Sequence, residues 1–366
     1  MPVKRQPDYW IIAITGALLL IGLVMIFSSS AVIAVERYND SYYFLKRQLV
    51  WAAIGLVLMA YCMRIDYRKF ARYGYVIYVA SLIALLLVFL PFMGHTVNGA
   101  QRWIRLGPIT LQPSEFVKLG LVIFFAAFLA KKEAAGKIKD FFLGFIPCFL
   151  ALVVILLLIQ LQPDLGTSLM IGLVVFCMFL VAGIRPTYLV GVSIFLVPIV
   201  VSAIANVEYR RRRILSFLDP WEDFSDSGYQ IIQSFVAISR GGMTGSGLGA
   251  GQQKLFYLPE PHTDFIFAII GEELGFIGGM VVIILFAALL WRGLKVGLNA
   301  PDRFGSLLAL GITLAICLQA IINISVNLGL APTKGLPLPF ISLGGSALIM
   351  WMISIGILLN VSEHTK

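Results

Sequence analysis

The sequence predicts an all-α polytopic membrane protein of about ten transmembrane helices. Both termini are expected in the cytoplasm, with a large extracytoplasmic loop between spans 7 and 8. Three observations carry this. Of 366 residues, 59% are apolar and only 13% charged, where a soluble domain is about half apolar and a quarter charged. Residues 10–35, 141–163 and 165–184 contain no charge at all, and about 20 apolar residues suffice to cross the hydrocarbon core. Lys and Arg, finally, gather beside the apolar runs. The net charge of +9 therefore reads as membrane placement, and no nucleic-acid partner is expected.

The first span, 10–35, follows Lys4 and Arg5. It superficially resembles a signal peptide, but the apolar run is too long and more spans follow, so it reads as a retained helix. Spans 2 and 3, at 47–63 and 73–93, flank the basic segment Arg64, Arg68, Lys69 and Arg72. Span 4, at 114–130, starts after Pro113, a residue suited to a first helical turn. It ends on Lys131 and Lys132. Spans 5, 6 and 7 cover 142–161, 165–183 and 188–206, with Arg185 between the last two. Spans 8, 9 and 10 cover 264–291, 304–328 and 340–362. With a cytoplasmic N-terminus, 15 Lys and Arg, Lys366 included, fall inside. Only six (Arg37, Lys46, Arg47, Arg102, Arg105 and Lys334) fall in the short outside loops.

The loop at 207–263 begins with Arg210, Arg211, Arg212 and Arg213 and continues through Asp219, Glu222, Asp223 and Asp226. Long loops are poorly governed by the charge rule, so the run does not invert the topology. Tyr229 to Ser239 suits a short amphipathic helix at the interface. Gly241, Gly242 and the glycines at 245, 247 and 249 mark a turn-rich stretch. It lacks the Gly-Lys-Ser/Thr ending of a Walker loop. No internal repeat is evident, which weakens an inverted-repeat transporter. Cys62, Cys148, Cys177 and Cys317 lie in or beside apolar segments and read as core residues.

Charges at the rim of a span are costly and so are functional candidates. Asp264 is expected to open span 8, where free N–H groups and the helix dipole favour its ionised form. A carboxylate there can take a proton from a sugar hydroxyl, although a lone Asp at this position more often caps the helix. Glu272 should lie about 12 Å deeper and about 80° around the helix, with Glu273 on the far side; adjacent buried acids need partners. Glu115 and Lys118, at i,i+3, share a helix face. They form either an internal ion pair or a site in which Lys118 and Arg102 face a pyrophosphate while Glu115 orients them. The Arg210–Arg213 run, Arg210 and Arg213 above all, is a further phosphate candidate together with Arg240, Lys254 and Lys334, because Arg suits phosphate oxygens. A basic run at a bilayer surface more often meets lipid headgroups. His262 and Thr263, immediately before Asp264, are expected to help bind substrate.

The stretch GSGLGAGQQKLFYLPEPHTDFIFAIIGEELG at 245–275 resembles the signature of the SEDS (shape, elongation, division and sporulation) family. NLGLAPTKGLPLPFISLGGS at 327–346 resembles its division branch, FtsW, more than the elongation branch, RodA; the sporulation branch, SpoVE, is also close. The resemblance spans the chain nearly end to end and implies one membrane domain, 1–366, with the 207–263 loop inside it. It implies a peptidoglycan glycosyltransferase that polymerises lipid II at the outer face of the bacterial cytoplasmic membrane, at the septum. A cognate class B penicillin-binding protein would supply transpeptidation among other divisome proteins. The essential aspartate of the family falls on Asp264. Arg102, Trp103, Glu115, Lys118 and Glu272 match other functionally important positions, and the Gln162-Pro163-Asp164-Leu165-Gly166-Thr167 turn matches a motif of structural role.

Chemistry and resemblance agree on one carboxylate. A pyrophosphate leaves readily, so the paired carboxylates of glycoside hydrolases are not required. Asp264 would deprotonate the 4-hydroxyl of the acceptor N-acetylglucosamine. The oxygen would then attack the lipid-linked muramyl sugar of the growing chain with inversion, releasing undecaprenyl pyrophosphate. Rim cations or a divalent cation (Mg or Mn) would neutralise the leaving group. A lipid II flippase is the rival, kept open by Glu272 and Glu273. A scaffold that only recruits the penicillin-binding protein is a third reading.

Overall fold

The computed structural model describes residues 6–90, 92–97, 100–107, 109–222, 227–255 and 257–365. Lys4, Arg5, Asp223, Asp226, Phe256 and Lys366 lie outside them. The chain runs α1 (Tyr9–Tyr38), α2 (Tyr43–Arg64) and α3 (Arg68–Leu87). A sheet follows: β1 (Gly94–Val97), β2 (Ala100–Leu106) and β3 (Ile109–Leu111). Then come α4 (Pro113–Ala134) and a π turn, Phe141–Phe145, that opens α5 (Ile146–Leu161). Next are α6 (Leu165–Val181), α7 (Pro186–Ala205), α8 (Glu208–Leu218) and α9 (Ser227–Gly241). The chain closes with α10 (Ile266–Leu298), α11 (Arg303–Asn327) and α12 (Gly345–Ser362).

Among the described residues eight helices, α1 to α4, α5 with its π turn (Phe141–Leu161) and α10 to α12, are long and apolar enough to cross a membrane. The sixth and seventh expected spans correspond to shorter apolar helices, Leu165–Val181 and Pro186–Pro198, and Pro198 interrupts α7. The protein is a multi-pass, predominantly helical membrane protein. Short polar side chains set several starts. Asp8 accepts from Trp10 N at 3.0 Å, Asp164 from Thr167 N at 3.0 Å, and Asp302 from Gly305 N at 2.8 Å. Each satisfies an orphan donor of a first turn. Helices α4, α11 and α12 form the interior, whereas α2 and α3 turn most of their surface outward. The two ends of the chain meet on one face: Asp8 N donates to Ser362 Oγ at 3.1 Å, and Arg292 Nε to Asp8 Oδ2 at 2.9 Å. That shared face agrees with the expected topology.

Three features depart from expectation. The third helix stops at Leu87, and an antiparallel sheet in the order β1-β2-β3 follows, pairing His95 with Trp103 and Arg105 with Thr110. The Asn98-Gly99 dipeptide in the sequence is a hairpin signal that hydropathy reading passes over. Helix α9 forms over the expected stretch but packs into the protein, with Ser234 Oγ donating to Asn327 O at 2.7 Å. Span 8 begins later than expected and is broken at Gly275, where φ is 67° and ψ is −166°.

That break is compensated by the glycine-rich loop. Phe276 N donates to Gly242 O at 2.9 Å and Ile277 N to Met243 O at 3.2 Å. Ser246 N and Gly247 N donate to the carbonyls of Glu272 and Glu273 at 3.0 and 3.1 Å. Broken backbone at membrane depth is tolerated only with such replacements. A Cβ on Gly275 would stand 2.3 Å from Gly245 N, in a conformation that L residues rarely adopt. Gly275→Ala is therefore expected to destabilise the protein by about 2 kcal/mol or more. The thermal midpoint of the purified protein measures this, and an unchanged midpoint would contradict the packing described.

Candidate active site

The site is built on the turn before α10. Asp264 is partly exposed in that turn, and α10 has Phe265 at its N-cap with no side-chain capping bond. Asp264 thus does not cap the helix. Its main chain is held instead. Asp264 O accepts from Asn323 Nδ2 at 2.9 Å and from Asn327 Nδ2 at 3.0 Å. Ala268 N, which also donates to Phe265 O at 3.1 Å, donates to Asn327 Oδ1 at 3.0 Å, so the side chain reinforces the first turn of α10. Ser342 Oγ donates to Thr263 O at 2.5 Å, and Leu343 N to His262 O at 2.9 Å. The turn is thereby joined to the segment between α11 and α12.

That segment carries Lys334. A Cβ on Gly335 would lie 3.2 Å from Asp264 Oδ2, so the chain bearing Lys334 passes directly beside the carboxylate. Among the described residues no carboxylate pairs with Lys334. Burial lowers its ammonium from the ordinary 10.5. Arg213, on α8, donates to Thr333 O at 3.1 Å, one residue from Lys334. Arg210 donates to Gln160 Oε1 at 3.0 Å.

Desolvation, and then the negative charge of Glu260, raise the Asp264 carboxyl from 3.8 to about 7, against the opposing pull of Arg213 and Arg102. The expected helix-terminus stabilisation of the ionised form is overridden, because burial outweighs it. Glu260 stands in a left-handed conformation, φ 53°, a strained backbone of the kind that gathers at functional sites. Its side chain reaches Thr263 Oγ1 at 3.3 Å. His262 is buried against Phe44, with ring centroids 4.9 Å apart, and burial lowers its imidazole from 6.5.

Other expected ligands lie elsewhere. Lys118 is enclosed, with Nζ 2.7 Å from both Glu115 Oε1 and Gln319 Oε1. It is an internal pair, not an open phosphate ligand. Lys254 Nζ sits 2.6 Å from Glu273 Oε1, and Ser28 Oγ donates to Glu273 Oε2 at 2.5 Å. Glu272 accepts from Gln252 N at 2.7 Å and from Gln253 N at 3.2 Å. Lys254 and Glu272 therefore hold the glycine-rich loop against α10, where contact with substrate was expected. The same loop bonds of Glu272 and Glu273 supply the partners that two adjacent buried acids need.

Arg102, on β2, is bound to the carbonyls of Gln162 and Pro163, with Asp164 at 4.0 Å. Trp103 is half-buried on the same strand. The Gln162-Pro163-Asp164 turn therefore anchors the sheet beside Asp264. Among the described residues no three His, Cys, Asp or Glu side chains converge, so no protein cage for a divalent cation is formed. Such an ion would be held largely by substrate phosphates. Residues that the sequence did not single out are Gln319, Asn323, Asn327 and Ser342. The first three recur every four positions, a helical-face signal that was available.

The family model described as "Cell cycle protein", FtsW/RodA/SpoVE, matches residues 9–366. The chain belongs to that family. It is 47% identical over 359 residues to a probable peptidoglycan glycosyltransferase FtsW of Geobacter sulfurreducens, covering 98% of this chain and 96% of that one. It is 44% identical over 364 residues to stage V sporulation protein E of Bacillus subtilis, covering 99% of each. Among solved structures it resembles a chain from work on polymerization and crosslinking by a peptidoglycan synthase complex. There the TM-score is 0.79 at 30% identity, with 97% of each chain covered. It also resembles the rod shape determining protein RodA of Thermus thermophilus, with a TM-score of 0.71 at 27% identity over 97% and 96% of the chains.

Proposed function

We propose that this chain is a peptidoglycan glycosyltransferase that polymerises lipid II at the outer face of the cytoplasmic membrane during cell division. The observation that carries the reading is the half-buried Asp264 carboxylate with Lys334, free of any acidic partner among the described residues, on the segment beside it. Relatives named as FtsW glycosyltransferases support it.

Asp264 takes the proton of the 4-hydroxyl on the acceptor N-acetylglucosamine as that oxygen attacks the anomeric carbon of the donor muramyl sugar. The bond from that carbon to the pyrophosphate oxygen breaks on the opposite face, inverting the centre. Undecaprenyl pyrophosphate departs with the electron pair. Lys334 and Arg213 would offset its growing charge. A divalent cation arriving with the substrate would add to that neutralisation. Both termini lie in the cytoplasm on the Lys and Arg distribution, and residues 1–366 act as one membrane domain. A class B penicillin-binding protein and other divisome proteins are the expected partners at the septum.

The direct test is glycan polymerisation from labelled lipid II by the purified protein with its cognate penicillin-binding protein, transpeptidation blocked. Polymer is expected. Lipid II crossing vesicles without polymer would install the flippase instead. No observation favours that rival, since Glu272 and Glu273 are engaged by the loop.

The pH dependence has a defined sign. Asp264 works ionised, so kcat/KM should fall about tenfold per pH unit below its value of about 7. Lys334 works protonated, so the rate should fall again on the alkaline side, at a pH below 10.5. A profile flat from about pH 5.5 to 7 would exclude Asp264 as the titrating base.

A further inference from the structure

Asp264 and Lys334 belong to different segments, and each segment is irregular. Ser342 and Leu343 join the two segments directly, and a rigid element adds a second tie between them. Helix α11 supplies one face with Gln319, Asn323 and Asn327 at intervals of four, about 6 Å apart along the axis. All three are buried, with exposures of 0%, 2% and 0%. Their polar atoms reach into the two segments rather than to one another alone.

Asn323 is the central member. The two hydrogens of its single Nδ2 group go to different segments: Asp264 O at 2.9 Å and Leu336 O at 2.8 Å. Asn327 adds a second donor to Asp264 O at 3.0 Å. Gln319 Nε2 donates to Pro337 O at 2.7 Å, and its Oε1 accepts from Lys118 Nζ at 2.7 Å. The Glu115–Lys118 pair is thereby connected to the segment bearing Lys334.

We infer that Asn323 is a positioning residue for glycosyl transfer: its one amide group holds the Asp264 turn and the Lys334 segment in a fixed register across the site. This rests on the reading of Asp264 as the base. A buried amide costs free energy unless fully hydrogen-bonded, and an apolar side chain of the same size would pack without that demand. The same group on α11 therefore fits a role in geometry better than one in packing alone. Transfer needs reacting atoms placed to within a fraction of an ångström, and displacing them by about 1 Å can cost about 100-fold in rate.

The test uses the full-length protein in complex with its penicillin-binding partner. Asn323→Leu keeps the side chain's branched shape and removes both donors, Asn323→Ser keeps one hydroxyl donor, and Asp264→Asn serves as the reference. Steady-state kcat and KM for labelled lipid II, the thermal midpoint and partner binding are measured for each.

For Asn323→Leu, kcat is expected to fall about 100-fold with KM within about twofold and partner binding retained, and Asn323→Ser should lie between it and wild type. Wild-type kcat in Asn323→Leu, with Asp264→Asn inactive, would overturn the inference and leave the base in place. So would a loss of kcat in both Asn323 variants that only tracks their loss of folded protein. Wild-type polymerisation by Asp264→Asn would instead remove the base reading itself, a failure seen in a different variant.

Discussion

Replacing Asp264 with asparagine is expected to lower the polymerisation rate by about 10²–10⁴-fold, the usual contribution of a positioned general base. The substitution is close to isosteric and leaves the main-chain anchors in place. Asn323 and Asn327 hold the carbonyl of residue 264, not its side chain. The amide oxygen cannot take the acceptor proton, so chemistry is removed without the frame. Stability should move the other way. The folded-state carboxyl sits at about 7 against an ordinary 3.8. Folding is therefore favoured by this group at acid pH, and that advantage is lost as pH rises through about 7. A neutral amide avoids the cost of a buried charge above that pH. Thermal midpoints at pH 8 should thus match or exceed wild type while glycan polymer disappears from gels. An inactive variant that also unfolds would assign Asp264 to the scaffold, and an active one would end its role as base.

Breaking the Lys254–Glu273 pair should have the largest effect on stability. Side-chain exposures are 6% and 0%, and the pair is locked further by Ser28 Oγ at 3.2 Å from Lys254 Nζ. Lys254→Met leaves the Glu273 carboxylate buried without its cation, at a cost of about 3–5 kcal/mol. Lys254→Met combined with Glu273→Gln removes both charges and should recover much of the loss. Unfolding of the purified protein, followed by denaturant for the two singles and the double, measures the coupling. Equal stability of Lys254→Met and wild type would show that the loop is held by its backbone bonds alone.

These two sites illustrate what was legible in the sequence. Glu115 and Lys118 are three residues apart on one helix, and helical geometry alone brings them to 2.7 Å. Asp164 and Asp302 announce helix starts by their place before apolar runs. The motif around Asp264 pointed to the candidate carboxylate through resemblance, and hydropathy located the apolar helices. By contrast, Ser28 and Glu273 are 245 positions apart, and no local pattern connects them. The break at Gly275 reads as continuous helix because the loop that satisfies it lies some thirty residues earlier.

Sequence by itself therefore determined that the chain is a multi-pass helical membrane protein, where most of its helices run and which carboxylate to examine. Tertiary structure alone decided which cations are spent. Lys118, Lys254 and Lys334 are the same residue type, all near motifs, yet two are enclosed in internal ion pairs and one, next to the Gly335 that passes Asp264, has no acidic partner among the described residues. The physical reason is the solvent. In water, an apolar stripe reveals which face of a helix is buried. In lipid, hydrocarbon and protein interior are equally apolar, so only packing and hydrogen bonding select which faces meet. Those contacts join residues far apart in the chain.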